Sequence, residues 1–239
     1  MVHPLIAKLG HRDRLTDGER ARIEAMSSST RVLEPNEDIV KEGASPDTSC
    51  LIVEGWAMRS KSLSDGRRQI TAFHIAGDFV DLHSFLLKPM DHTVTALTRC
   101  KLALVPHTAL MKVTEEEPHL TRVFWLNTLI DAAIQREWMV ALGRLPAAGR
   151  LGRLICELFL RLEAVGLTQA QGFDFPITQT GLADALGISG VHVNRTIQEL
   201  RRASLITWQG SRVTIKDFTG LKAVAEFDPT YLNLSAHPR

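Results

Sequence analysis

An α+β fold is predicted, with a β-rich N-terminal half, one long helix and a C-terminal winged helix-turn-helix, and three observations carry it. From Arg31 to His107 the apolar residues come in short β-branched runs punctuated by Gly43, Gly55, Gly66 and Gly77. From Pro118 to about Gly143 the apolar spacing becomes helical and unbroken. From Ile177 to Leu200 two short amphipathic segments flank Gly187, and a hairpin pattern follows them. The expected boundaries are 1–117 for the β-rich domain, 118–145 for the helix and its hinge, and 146–239 for the winged-helix domain.

In chain order, Thr16-Asp17-Gly18-Glu19 has capping-box spacing and starts a short lead-in helix that ends at Ser27 to Ser29. The strand runs are Val32-Leu33, Ile39-Val40, Leu51 to Val53, Ile70 to Phe73, Val94 to Leu97 and Leu102 to Val105, a spacing that implies a sandwich or barrel. Ser64-Asp65-Gly66 is a hairpin turn, because Asp-Gly tolerates positive φ. A short helix is expected around Ala109 to Val113, and Pro118 opens the long one. On that long helix Leu120, Val123, Phe124, Asn127, Ile130, Ile134, Glu137 and Ala141 lie near a 3–4 spacing, widened by Trp125, Leu126, Leu129 and Trp138. One helix cannot bury all of this alone, so the face is read as the seam of a homodimer.

Gly143-Arg144-Leu145-Pro146 interrupts the helix and reads as a hinge. An amphipathic helix from about Ala147 to Val165 follows, with Leu151, Leu154, Ile155, Leu158, Phe159 and Leu162 on its inner face. GLTQAQGFDFP reads as a polar linker. In the helix-turn-helix, Leu182, Ala183 and Leu186 face Val193, Ile197 and Leu200, with Thr178 and Ser189 as N-caps. The wing is a strand from Leu205 to Trp208, a Gln209-Gly210 turn and a strand from Val213 to Ile215. Asp217 caps a last helix reaching toward Glu226, and FDPTYLNLSAHPR is read as a tail.

Composition excludes several classes. The 239 residues are 44% hydrophobic and 23% charged, so disorder is not expected, and the formal net charge of +1 leaves attraction to nucleic acid to local clusters of Lys and Arg. There is no basic-then-apolar leader and no run of the roughly 18 apolar residues of a membrane span, which predicts a cytoplasmic protein. Cys50, Cys100 and Cys156 lack CxxC spacing and read as buried thiols in a reducing compartment. No GxSxG, P-loop or HExxH motif supports catalysis.

The second helix of the pair exposes His192, Asn194, Arg195 and Gln198, followed by Arg201 and Arg202, a face suited to the DNA major groove. With this segment, and the order of elements before it, nearly the whole chain resembles the CRP/FNR family of bacterial transcription regulators. The resemblance implies a jelly-roll β-roll sensor domain, a homodimer, a pseudo-palindromic double-stranded DNA operator, RNA polymerase as a partner and a small-molecule effector of unknown identity. DNA contacts are expected at Thr178 and Gln179 on the first helix, at Ser189, Gly190, Val191, His192, Asn194, Arg195, Gln198 and Arg201 on or beside the second, and at Arg212 in the wing. The family's guanine-reading arginine falls on Arg195. Its glutamate four residues earlier is Val191 here, and the arginine before that is Gly190, so a divergent operator follows.

Family members that bind a cyclic nucleotide grip its phosphate with a Gly-Glu pair and an Arg-Ser or Arg-Thr pair. The matching positions here are Gly77-Asp78, then Met90-Asp91 or His92-Thr93, none of which supplies the arginine. The hydroxyl pair of the long helix is replaced by Gln135-Arg136. Cyclic AMP in that mode is therefore not expected. Nor is an iron–sulfur cluster, which needs four cysteines. The resemblance places an effector pocket at Gly77, Asp78, Phe79, His83 and Ser84, at Asp91, His92 and Thr93, and at Asn127, Ile130 and Ile134. GDFVDLHS also resembles the CO-sensing haem regulators, with His83 at the iron ligand and Asp81 where their cysteine stands. No cofactor is expected; the alternatives are a sensor using haem through His83 or a metal among His74, His83, His92, His107, Asp78, Asp81 and Asp91, and a sensor or interaction module without specific DNA binding.

Overall fold

The structure, a computed structural model, describes residues 3–237. Two short helices lead in, α1 (Pro4–Gly10) and α2 (Asp17–Ala25). The capping box is formed: the Thr16 hydroxyl accepts from the Glu19 amide, and the Glu19 carboxylate accepts from the Thr16 amide at 2.8 Å. The helix α1 is missed by the sequence pattern, because seven residues show barely two turns of periodicity.

Seven strands follow: β1 (Ser29–Leu33), β2 (Asp38–Val40), β3 (Thr48–Glu54), β4 (Ala57–Ser62), β5 (Arg68–His74), β6 (Thr93–Ala96) and β7 (Cys100–Pro106). They form two antiparallel sheets, β1-β7-β3 and β2-β6-β4-β5. Leu33, Ile39, Ile52, Val80, Val94 and Leu102 are among the side chains that fill the space between them. Gly55 joins β3 to β4 at φ 99°, where a Cβ would lie 2.4 Å from the Arg99 carbonyl oxygen, so only glycine makes this corner. The strand β4, AMRSKS, is absent from the expected runs. Ala57 and Met58 are its only apolar residues, yet Arg59 and Ser60 are buried as well.

The helices α3 (His107–Glu116) and α4 (Pro118–Arg144) come next. At 27 residues α4 is about 40 Å long. Its inner face is consumed by its own chain. Leu120, Val123 and Phe124 pack with α1, α2, α3 and the outer side of β3 and β7, while Ile130, Ile134 and Trp138 pack on Met58, Ile70 and Phe73 and on the winged-helix core. This corrects the expected seam. Of the residues named for it, Leu120, Val123, Phe124, Ile130, Ile134, Trp138 and Ala141 are buried inside the protomer at 0–8% exposure, Leu126, Asn127 and Glu137 are half-buried, and Trp125 and Leu129 are exposed. What the protomer leaves open is the opposite stripe of Trp125, Leu129, Ala132, Arg136 and Met139, spaced 4-3-4-3, with Val140 beside it.

Leu145 and Pro146 separate α4 from α5 (Ala147–Glu163). The joint is braced. Arg153 pairs with Glu137 across it, and the Trp138 indole donates to Glu157 Oε2 at 3.0 Å. All six residues predicted for the inner face of α5 are buried. The segment read as a linker contains β8 (Gly172–Asp174), which completes a three-stranded wing sheet, β8-β10-β9, with β9 (Ile206–Gln209) and β10 (Arg212–Ile215). The hairpin turn is Gly210-Ser211, one residue later than expected. Between them lie α6 (Gln179–Leu186) and α7 (Gly190–Arg202), and α8 (Phe218–Val224) closes the domain, capped by Asp217 accepting from the Gly220 amide at 2.9 Å. The expected tail is packed instead: Pro229–Leu232 forms a 3-10 turn, Leu232 is buried, and the Tyr231 hydroxyl donates to Glu157 at 3.1 Å.

Candidate nucleic-acid interface and effector cavity

Local chemistry builds the helix-turn-helix. The Thr178 hydroxyl accepts from the Gly181 amide at 3.0 Å and starts α6, and Gly187 at φ 64° ends it. The Ser189 hydroxyl accepts from the His192 amide at 3.3 Å and starts α7. Val193, Thr196 and Leu200 turn inward, and the Thr196 hydroxyl settles on the His192 carbonyl at 2.8 Å. The outer face is then a stripe of exposed Val191, His192, Asn194, Arg195, Gln198, Arg201 and Arg202. Thr178 and Gln179 are exposed beside it. The Gln179 and Asn194 amides hydrogen bond each other in both directions at 3.0 and 3.1 Å, locking α6 to α7 and occupying one edge of each amide. Arg212 differs from expectation: it donates to the Gln169 carbonyl at 2.6 Å and lies 3.7 Å from Asp174, which ties β10 to β8 and spends the side chain inside the wing.

A cavity of about 470 Å³ lies between the β-roll and α4. Its walls are Arg59 and Lys61 of β4, Thr71 and His74 of β5, the segment that carries Phe79, Leu82 and His83, the pair Asp91 and His92, and Asn127, Thr128, Asp131 and Gln135 of α4. Arg59 reaches Asp131 through both terminal nitrogens, at 2.9 and 3.4 Å, and the Gln135 amide donates to the Thr71 carbonyl at 2.7 Å. The β-roll is thus stitched to the long helix by the Arg59 side chain of β4 and by the Thr71 carbonyl of β5. Burial works to raise the Asp131 pKa, but the charge and hydrogen bonds of Arg59, together with His74 and Arg161, hold the carboxyl below its ordinary value. Burial, followed by the charge of Arg59, draws His74 down to about 3. His83 and His92 are lowered too, His83 by burial and then by His92, His92 by burial and then by Arg59.

Comparison with known proteins agrees with both halves of this architecture. Residues 30–117 match the cyclic nucleotide-binding domain and residues 149–224 the Crp-like helix-turn-helix domain. The transcriptional activator protein FnrL of Cereibacter sphaeroides is 30% identical over 196 residues, covering 80% of this chain and 78% of that protein. The chain belongs to the CRP/FNR family of transcription regulators. Among solved structures, FixK2 from Bradyrhizobium japonicum superposes with a TM-score of 0.73 at 24% identity, covering 82% of this chain and 96% of that one. The c-di-GMP responsive regulator CLP of Xanthomonas campestris follows at 0.66 and 18%, covering 84% and 100%. These last two establish the fold alone. This CRP/FNR regulator is accordingly a DNA-binding protein of a family of regulators, not of enzymes. No helix among the described residues is long and apolar enough to cross a membrane.

Against the family's pattern, several sensor residues fall elsewhere than expected. Asp78 is not a cavity residue: buried, it accepts from Lys8 at 2.6 Å, from Arg161 at 2.8 Å and from the Ile75 amide at 2.9 Å, and so fastens the β-roll to α5. Burial would raise its pKa, but Lys8 and then Arg161 hold it well below the usual carboxylate range. Gly77 sits against α1, where a Cβ would meet the Pro4 carbonyl oxygen at 2.7 Å. Ser84 faces His107 at 3.3 Å, the Thr93 hydroxyl accepts from the Glu42 amide at 3.1 Å, and Ile130 and Ile134 belong to the core. Phe79, His83, Asp91, His92 and Asn127 do line the cavity.

Two further findings concern charge and hydroxyls. The arginine missing from the loop is supplied from β4 as Arg59, though it arrives already paired with Asp131. Of the pair Gln135-Arg136, expected in place of the family's hydroxyls, Gln135 lines the cavity wall and Arg136 is exposed; Thr128 of α4 lines the wall as well. Asp81, the counterpart of the haem regulators' cysteine, is buried with its carboxylate on the Cys50 amide at 2.6 Å and is not among the residues that line the cavity. Cys50, Cys100 and Cys156 are free and buried.

Proposed function

We propose that this CRP/FNR regulator acts as a cytoplasmic homodimer, that it reads a pseudo-palindromic operator through α7, and that a small effector in the sensor cavity governs its contact with RNA polymerase. The observation that carries the dimer is the open stripe of α4. Trp125 is 64% exposed, Leu129 52% and Met139 72%, at the heptad spacing of a two-helix seam. Leu86 and Leu87, which are also exposed, border with Trp125 an apolar hollow of about 390 Å³, and so widen the patch beyond one helix. Two copies related by a twofold axis along this stripe would present their α7 helices to half-sites about one helical turn, 10–11 base pairs, apart.

Specificity is assigned to Ser189, Gly190, Val191, His192, Asn194 and Arg195. Arg195 is exposed on the outer face of α7 and can donate a bidentate pair to guanine, while the N-terminus of α7 and the Ser189 hydroxyl suit a phosphate. Val191, 74% exposed, has only a methyl surface to offer a thymine. Arg212 is left out of the reading set because the wing already uses it. The effector is not gripped as the family grips a cyclic phosphate, since the one arginine in the cavity is neutralised by Asp131.

The deciding experiment is binding-site selection on random duplex DNA, followed by light scattering of the complex. Two chains on one symmetric site are expected; a single chain bound to an asymmetric site would refute the reading.

A further inference from the structure

We propose that His83, Asp91 and His92 bind one divalent first-row transition ion in the sensor cavity. The inference rests on the reading of that cavity as the effector site and names what enters it. His83 stands on the 3-10 turn Leu82–Phe85, and Asp91 and His92 lead into β6. The fold brings one donor atom from each to within 4.8 Å of the other two. Zinc held by imidazole nitrogen and carboxylate oxygen at 2.0–2.1 Å needs donors about 3.3 Å apart, so side-chain rotations that draw the three together complete the set.

Hydrogen bonding points the same way. His92 is 6% exposed, and its Nε2 is buried without a partner; the Nε2 of His83 is buried and unpartnered too. An orphaned buried acceptor costs roughly 1–3 kcal/mol, and the two rings that carry these atoms stand side by side, with centroids 5.0 Å apart. Asp91 Oδ1 lies 2.7 Å from His92 Nδ1, which fixes the proton on Nδ1 and leaves the lone pair on Nε2. An ion on Nε2 and a carboxylate held at Nδ1 lie on opposite sides of the ring, so ligation by Asp91 requires its carboxylate to leave Nδ1 and turn to the ion. Two imidazoles and one carboxylate select zinc, iron(II), cobalt(II) or nickel(II) over magnesium and calcium. Three protein donors leave at least one coordination position open. It faces a cavity whose other polar groups include Arg59 and Lys61, so the remaining ligand is water or a small anion.

Occupancy would clamp the 3-10 turn to the start of β6, on the wall facing Asn127 to Gln135 of α4. The full-length protein, stripped with a chelator, should take up one zinc per chain in competition with a chromogenic chelator, and cobalt(II) should give the visible bands of a low-coordinate nitrogen and oxygen site. His83→Gln and His92→Gln should each weaken uptake by roughly tenfold or more with the melting profile retained, Asp91→Asn less, and His11→Gln, at the surface, not at all. Substoichiometric zinc, or uptake indifferent to His83 and His92, overturns the ion. So does a Soret band on adding haem that depends on His83. Gel shifts on the same preparations separate the two readings: specific DNA binding without zinc uptake retires the ion alone, whereas zinc uptake with no specific DNA binding upholds the ion and retires the regulator assignment.

Discussion

Replacing Leu129 and Ile130 one at a time should give opposite results, though the two are neighbours on one helix. Leu129 is 52% exposed and Ile130 4%. Full burial of a leucine is worth about 1.5–3 kcal/mol, so covering the open half of Leu129 contributes about 1–1.5 kcal/mol. A symmetric seam counts it twice. Leu129→Ala should therefore cost the dimer about 2–3 kcal/mol and raise its dissociation constant roughly 30- to 150-fold, with little change in protomer folding. Leu129→Asp adds two unpaired carboxylates at the seam and should give a folded monomer. Ile130→Ala opens a cavity among Met58, Phe73 and Trp138, costing about 2–5 kcal/mol of unfolding free energy and leaving association intact. Sedimentation velocity across a concentration series, with urea unfolding of the same samples, separates these outcomes. If Leu129→Asp stayed dimeric and Ile130→Ala dissociated without losing stability, the assignment of faces on α4 would be refuted.

Arg195→Ala should weaken a selected operator by about 1–3 kcal/mol and relax preference at one guanine per half-site; equal losses on random DNA would reassign the residue to phosphate contact. Ser189→Ala removes the cap of α7 and should cost about 1 kcal/mol of winged-helix stability in thermal melts, with no cost arguing that the 3.3 Å contact is not a cap in solution. His74 is neutral when folded, its pKa drawn from 6.5 to about 3, so between those pH values the unfolded chain binds a proton that the folded chain does not. Stability therefore falls on acidification through that window, by roughly 4–5 kcal/mol from this group, and His74→Gln should flatten the slope in urea titrations. An unchanged slope would place the acid sensitivity elsewhere. Gly55→Ala should cost more than about 2 kcal/mol, because its Cβ would meet backbone; a neutral result would mean that the corner can shift.

The helix-turn-helix was legible from the chain because its determinants are local. Thr178, Gly187 and Ser189 act within three or four residues of themselves, and the apolar pairs recur at helical spacing. The strands with β-branched runs were legible for the same reason. The strand β4 was not, since AMRSKS carries no alternation, yet the hairpin turn at Ser64-Asp65-Gly66 required a strand on its N-terminal side, and that was the available signal. β8 was hidden by its three-residue length and a polar approach. The cavity was half legible: His83, Asp91 and His92 sit in one stretch, but Arg59 meets Asp131 across 72 positions, and no periodicity reports such a pair.

Composition and spacing determined that α4 carries more apolar surface than one side of a helix can bury. Only the packing of α1 to α3, the β-roll and α5 decided which side is spent within the protomer, because Ile130 and Leu129 are equally apolar and differ only in the direction in which the helix turns them. The same holds for charge. Asp78 and Asp131 read alike in the sequence, but one is closed in by Lys8 and Arg161 and the other faces the cavity beside Arg59, since long-range contacts set the local field and the chain order does not.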